Sequence, residues 1–218
     1  MRRIAVLAAV GFVLLVLVVA QLVLPGIAAR RVRDQFSKSG TVLDVKVSAF
    51  PAVKLLWHRA DSVVVRMATY RAPVSELSNT LTETGDAGSV DASVQVLSVG
   101  PLALRDATMR KRGSSLTAAA TVTQADLRSA VFFLRGVVPV TSADGSLTLR
   151  GTASFLGLTA SVSATVAARD GALVVAPDVP FGGIATLTLF NDPHVYVESV
   201  SASGVPGGFR VSGRATVS

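Results

Sequence analysis

The side chains best suited to chemistry in this chain are apolar, aromatic and basic, and they crowd into one short segment. Phe50, Pro51, Leu55, Leu56 and Trp57 form the densest apolar patch outside the N-terminal run, and Lys54, His58 and Arg59 are interleaved with them. The chemistry this combination fits is lipid recognition. An acyl chain leaving water gains about 0.8 kcal/mol per buried methylene. Trp favours the bilayer–water boundary, and cationic side chains suit phosphate headgroups. The same five residues would also serve as ordinary core at a sheet corner. A second basic station, Arg110-Lys111-Arg112, precedes Gly113. It reads either as a solvated hairpin tip or as a headgroup contact, since each cation near anionic lipid contributes roughly 1 kcal/mol. A third lies in the segment 124–135, an expected helix. There Leu127, Ala130, Val131 and Leu134 share one arc, while Phe132 falls off it, near Arg128 and Arg135, with Phe133 to one side. Aromatic and basic residues sharing a face are what interfacial helices use.

Residues able to carry catalysis are sparse. His58 and His194 are the only histidines, and neither has a local partner at metal-ligand spacing. Cysteine is absent, which removes disulfides, thiol nucleophiles and thiolate metal sites. The sequence contains no Gly-x-Ser-x-Gly elbow, no phosphate-cradling loop and no His-Glu-x-x-His helix. Gly204-Val205-Pro206-Gly207-Gly208 follows no dinucleotide pattern and reads as a turn. The carboxylates are spread singly over turns and polar strand faces. The chain reads as a non-enzyme without a cofactor.

The element that must position these stations comes first. Ile4 to Leu24 is an uncharged run of 21 residues, long enough for the ~20 apolar residues that a bilayer-spanning helix needs. Arg2 and Arg3 precede it; Arg30, Arg31 and Arg33 follow. Two readings stand. One is a retained signal anchor over residues 1–27. The other is a secretory signal cleaved near Gly26-Ile27-Ala28, although such signals usually need only about 7–15 apolar residues. Pro25-Gly26 is expected to end or kink the helix. Both flanks are basic, so charge does not set orientation. The downstream composition points to an exported domain. The expectation is a single-pass plasma-membrane protein with its N-terminus cytoplasmic and its C-terminal domain extracytoplasmic, or a secreted one if cleavage occurs. The formal charge is +7; Arg2 and Arg3 supply two of these, leaving +5 beyond them. That excess suits anionic lipid or polymer. Nucleic acid is not expected, because the basic residues are scattered.

Residues 28–40 read as a juxtamembrane helix, with Val32 and Phe36 spaced i, i+4 and Gly40 ending it. Residues 41–218 read as one β-rich domain. Strands are expected at 44–48, 62–69, 90–99, 102–110 and 116–122, with a short helix at 73–84. Thr123-Gln124-Ala125-Asp126 has capping-box form at the start of the second helix. The last third alternates with period two through Leu147–Phe155, Leu158–Val166 and Phe209–Val217. Asp144-Gly145 and Asp170-Gly171 sit where hairpin turns are needed. The expected class is α+β and β-rich: a long, curved antiparallel meander laid on one or two helices, after a single transmembrane helix. Such a sheet leaves an apolar groove.

These residues resemble a known family. Val45-Lys46-Val47-Ser48-Ala49-Phe50-Pro51, then Leu55-Leu56 and Val63-Val64-Val65, is similar to the opening motif of the LmeA-like phospholipid-binding family. Those are exported or membrane-anchored envelope proteins of high-GC Gram-positive bacteria. Thr121 to Leu127 resembles the family's helix start. Val200 to Gly204 and Gly208 to Gly213 resemble its last hairpin. The likeness spans about residues 28 to 218. Ala49 replaces a frequent Gly, and His58-Arg59 stands where the family often has another. The resemblance implies a tubular lipid-binding fold, binding of phospholipid acyl chains and a role in envelope glycolipid or lipoglycan upkeep. The expected partners are phospholipid or glycolipid and the bilayer; protein partners stay open. A second reading also stands, a structural or scaffolding envelope protein with no lipid groove.

Overall fold

The computed structural model describes residues 2–57, 59–72, 87–99, 102–130, 134–143, 146–155, 158–177 and 186–217. Within these ranges several side chains are not described, among them those of 2–17, 127, 128, 130 and 134–143. The expected helix at 73–84, the Asp144-Gly145 turn, His58, Phe132 and Phe133 lie outside the described residues.

Helix α1 (Arg2–Ser37) is continuous and carries Pro25 inside it. The helix therefore does not end at Pro25-Gly26, the first of the two outcomes expected there. Pro25 lacks an N–H, so the Gln21 carbonyl has no donor four residues on. The helix stops where Ser37 donates to the Asp34 carbonyl and Gly40 opens β1 (Gly40–Ser48). Gly40 is required there, because a Cβ would sit 2.1 Å from the Thr69 carbonyl oxygen. Among the residues with described side chains, no helix is long and apolar enough to cross a membrane. Of α1 those are residues 18–37, whose second half carries Arg30, Arg31, Arg33 and Asp34.

A 3₁₀-helix (Ala52–Trp57) follows β1. Next come β2 (Ser62–Ala72), β3 (Ser89–Val99), β4 (Leu102–Arg112) and β5 (Ser115–Thr123). After helix α2 (Gln124–Ala130) come β6 (Leu134–Ala143), β7 (Ser146–Phe155), β8 (Leu158–Arg169), β9 (Ala172–Pro177), β10 (Leu187–Phe190), β11 (Val195–Val205) and β12 (Gly208–Val217). The fold is β-rich with few helices, as expected, but it is not one antiparallel meander. A seven-stranded sheet has the order β1-β2-β3-β4-β5-β12-β11, and a five-stranded sheet the order β10-β9-β8-β7-β6. β2 and β3 are parallel, so the larger sheet is mixed. The chain leaves that sheet after β5, builds the second sheet, and returns to pair β12 with β5.

Period-two writing places the core on one face of the larger sheet. Val45, Val47, Val65, Met67 and Tyr70 pack with Ala28, Ala29, Val32 and Phe36 of α1. Phe36 meets the Tyr70 ring edge-on at 5.7 Å. Farther along, Val200, Ala202 and Val211 pack against Leu147, Val166, Leu173 and Val175 of the smaller sheet. The Asp170-Gly171 turn is as expected. Both residues have positive φ (51° and 79°), as a two-residue type I′ hairpin demands.

Helix α2 begins at the expected cap: the Asp126 N–H donates to Thr123 Oγ1 at 3.1 Å. Arg105 of β4 grips the Asp126 carboxylate at 2.9 and 3.1 Å. That guanidinium, with the Thr123 hydroxyl, holds the Asp126 carboxyl below its usual range. The helix is shorter than the stripe suggested. The backbone is strand from Leu134, so Arg135 and Gly136 belong to β6 rather than to a helix.

Candidate functional site

The corner between β1 and β2 is built by the helix beside it. Gln21, the one amide in the Ile4–Leu24 run, donates through Nε2 to the Ala49 carbonyl at 3.2 Å and accepts through Oε1 from the Ala52 N–H at 2.7 Å. Two backbone groups at the turn are thereby satisfied, and Ala49 and Ala52 are buried against α1. Between them the Phe50–Pro51 peptide is cis. Asp61, at the start of β2, accepts from the Phe50 N–H and from Lys54 Nζ at 3.4 Å. The Phe50 N–H above all, with help from Lys54, keeps the Asp61 carboxyl below the ordinary carboxylate range, although burial opposes it.

With the backbone pinned at both ends, three of the large side chains are left outside. Phe50 is 76% exposed, Leu56 60% and Trp57 66%. Pro51 and Arg59 are exposed and Lys54 is half-exposed. Leu55 differs from the expectation for the patch: it packs inward on the α1–β1–β2 cluster. α1 also exposes Val18, Val19, Leu22, Val23 and Ile27.

The second station reaches the same end of the sheet. The Gly88 N–H donates to the Ala60 carbonyl and the Gly113 N–H to the Gly88 carbonyl, each at 3.0 Å. The β4–β5 tip, with Gly113 at φ 56°, is therefore tied through Gly88 to the corner. Strand alternation splits the basic triplet. Arg110 and Arg112 are exposed and share Asp91, at 3.6 and 2.7 Å. Lys111 is only 4% exposed, and its ammonium donates to the Ala87 carbonyl at 2.7 Å. Lys111 is thus corrected from headgroup contact to buried strut. Of the third station, Phe132 and Phe133 lie outside the described residues, and the side chains of Arg128 and Arg135 are not described. His194 sits in the turn before β11, 3.6 Å from Asp192. No cluster of potential metal ligands occurs among the described residues.

Sequence reasoning passed over Gln21. Its signal was plain: a single amide in an uncharged, largely apolar run of 21 residues, placed where the chain must turn back on the helix.

A β-rich body with an apolar, basic-rimmed corner clamped to a largely apolar helix defines a protein built to meet lipid. The sequence model of the LmeA-like phospholipid-binding family matches residues 16–189, and the chain belongs to that family. No curated protein matches it. Among solved structures, a STAR-related lipid transfer protein (fragment 25–204) from Xanthomonas axonopodis is similar over 52% of this chain and 76% of its own, at 11% identity and a TM-score of 0.17.

Proposed function

We propose that this protein is a membrane-tethered, extracytoplasmic phospholipid-binding protein that carries or presents lipid for envelope glycolipid or lipoglycan upkeep, without catalysis. The observation that carries this reading is the corner: Phe50, Leu56 and Trp57 exposed beside α1, with Lys54, Arg59 and Arg112 at the same end of the sheet. α1 supplies the tether. From Gln21 back to Arg2 it rises roughly 29 Å at 1.5 Å per residue, close to the ~30 Å hydrocarbon core. Gln21 then sets the corner at the outer boundary of that core, the depth that Trp favours. Family membership supports phospholipid as the ligand. The half-buried cross-strand pairs Leu97–Leu104 and Val99–Leu102 supply apolar surface for acyl chains on the core face of the sheet.

Trp57 is the only tryptophan, so its fluorescence reports on the corner alone. Reconstituted in vesicles with brominated acyl chains, the protein should show a blue-shifted, quenched Trp57, and solvent extraction of the purified protein should release phospholipid. An unquenched Trp57 together with a lipid-free extract would return the protein to a scaffolding role. A reporter enzyme active only outside the cytoplasm, fused after Ser218, should be active; activity solely from a cytoplasmic reporter would overturn the topology.

A further inference from the structure

The face of the seven-stranded sheet opposite its core has a chemistry of its own. Val65, Val90, Leu116 and Phe209 face the core; their neighbours face outward, and apart from Val64 and Gly208 these are polar or charged. Two adjoining hollows of about 450 and 520 Å³ lie on this face and share Thr108 and Arg110. The pairing aligns them in rows. One row runs Arg214, Thr117, Arg110 and Asp91 across β12, β5, β4 and β3. The next runs Ser212, Ala119, Thr108, Ser93 and Arg66, reaching β2. Four inter-strand spacings separate β12 from β2, about 19 Å.

The carboxylates on this face are engaged. Asp91 is held by Arg110 and Arg112. Asp44, opposite Arg66 in the register, pairs with Lys46. Glu198 accepts from Thr216. The guanidinium groups of Arg66, Arg210 and Arg214, by contrast, make no hydrogen bond or ion pair among the described residues. Uncommitted guanidinium groups thus stand at both ends of the trough, with Arg110 midway and hydroxyls of Thr108, Thr117 and Ser212 between.

We propose that this trough binds an extended, soluble phosphate-bearing chain across the strands. A small anion would reach one guanidinium; stations about 10 Å apart reward a polymer that bridges them. Arg presents a planar fork that matches phosphate oxygens; the hydroxyls of Thr108, Thr117 and Ser212 are already bonded to the Ala119 carbonyl, the Arg110 carbonyl and Ser201. The hollows have no aromatic lining, so they offer no platform for stacked bases. A bilayer is the poorer occupant. β1 runs back along α1, so if α1 enters the membrane along its axis the trough faces sideways. Only this last step rests on the proposed tether.

The probe is fluorescently labelled inorganic polyphosphate, titrated by anisotropy against the full chain in neutral detergent micelles. The Arg210→Gln/Arg214→Gln double variant should bind at least tenfold more weakly. Its slope of log affinity on log salt should shrink by roughly one per arginine removed. Arg66→Gln, at the other end, should weaken binding several-fold alone, which keeps the test open if the double variant misfolds. Arg169→Gln, on the smaller sheet and outside the trough, should change nothing. Unchanged polyphosphate binding in the folded variants overturns the proposal, as does a loss seen only with anionic vesicles. Trp57 quenching by brominated lipid should be untouched by these variants, so failure here and failure of the lipid reading are distinguishable.

Discussion

The corner at 50–59 and the strand end at 110–112 make an instructive pair. Both are short, both hold basic residues, and each is tied by one aspartate, Asp61 in the first and Asp91 in the second. They use the same residue types in opposite ways. In the corner, the helix takes the backbone through Gln21, so the bulky side chains of Phe50, Leu56 and Trp57 are left outside. In the strand, the pleat takes every second side chain inward, so the middle cation is sent into the body of the protein. A basic run in a strand is therefore a surface feature only at every second residue.

The largest expected effect tests the buried half of that contrast. Lys111→Ala removes a buried ammonium that donates to the Ala87 carbonyl and strands that carbonyl, at a cost of about 2–3 kcal/mol. Thermal unfolding should show it plainly. Binding to anionic vesicles by the folded Lys111→Met variant should match wild type. Unchanged stability with lost vesicle binding would make Lys111 a headgroup contact after all, and the comparison would collapse.

Gln21→Ala comes next, at about 1–2 kcal/mol for two hydrogen bonds. Its informative readout is positional. Without the clamp, quenching of Trp57 by lipids brominated at different depths should lose its sharp maximum. A depth profile identical to wild type would mean that the corner is held by the 3₁₀-helix alone. Asp91→Asn should cost less than about 1 kcal/mol, as exposed ion pairs do, while freeing Arg110 and Arg112. Affinity for anionic probes should then rise. A fall would show that Asp91 orients these arginines instead of occupying them.

How much of this was legible in the sequence depended on how far apart the partners lie. β3, β4 and β5 fall within two residues of the expected bounds, because alternation is local. The Thr123 cap and the Asp170-Gly171 turn are local too, and both are found. Val32 and Phe36 do share the core as their spacing suggests. What was illegible is long-range. The parallel β2–β3 pair and the return of β12 to β5 turn a plain meander into two sheets, and no periodicity encodes which strand a strand meets. The stop of α2 shows a competing preference. The stripe through Leu134 fits a helix, yet Val137, Val138, Val140 and Thr141 are β-branched, and pairing with β7 takes the chain from Leu134 onward. The candidate site was half legible. Its residues stand out by type, but which of them face outward depends on Gln21, 28 residues before Ala49.

The smallest effect is the pH dependence of the corner, and its sign is fixed by Asp61. The Phe50 N–H, then Lys54, stabilise the carboxylate and hold its folded pKa below the ordinary 3.8. A group depressed in this way contributes stability that is present above its unfolded pKa and is lost as pH falls through the folded one. The corner should therefore be indifferent to acidification from pH 7 to pH 5 and begin to loosen only below about pH 4. Asp126, also depressed, titrates in the same window and loosens the start of α2, so global unfolding does not separate the two. Trp57 emission does, because the ring stands three residues after Lys54, Asp61's partner, in the same 3₁₀-helix, and far in sequence from α2. In neutral micelles, the acid-induced change in Trp57 emission should disappear in Asp61→Asn and persist in Asp126→Asn. A change centred above pH 5, or one that survives Asp61→Asn, would mean that Asp61 does not hold the corner and that the helix clamp works alone.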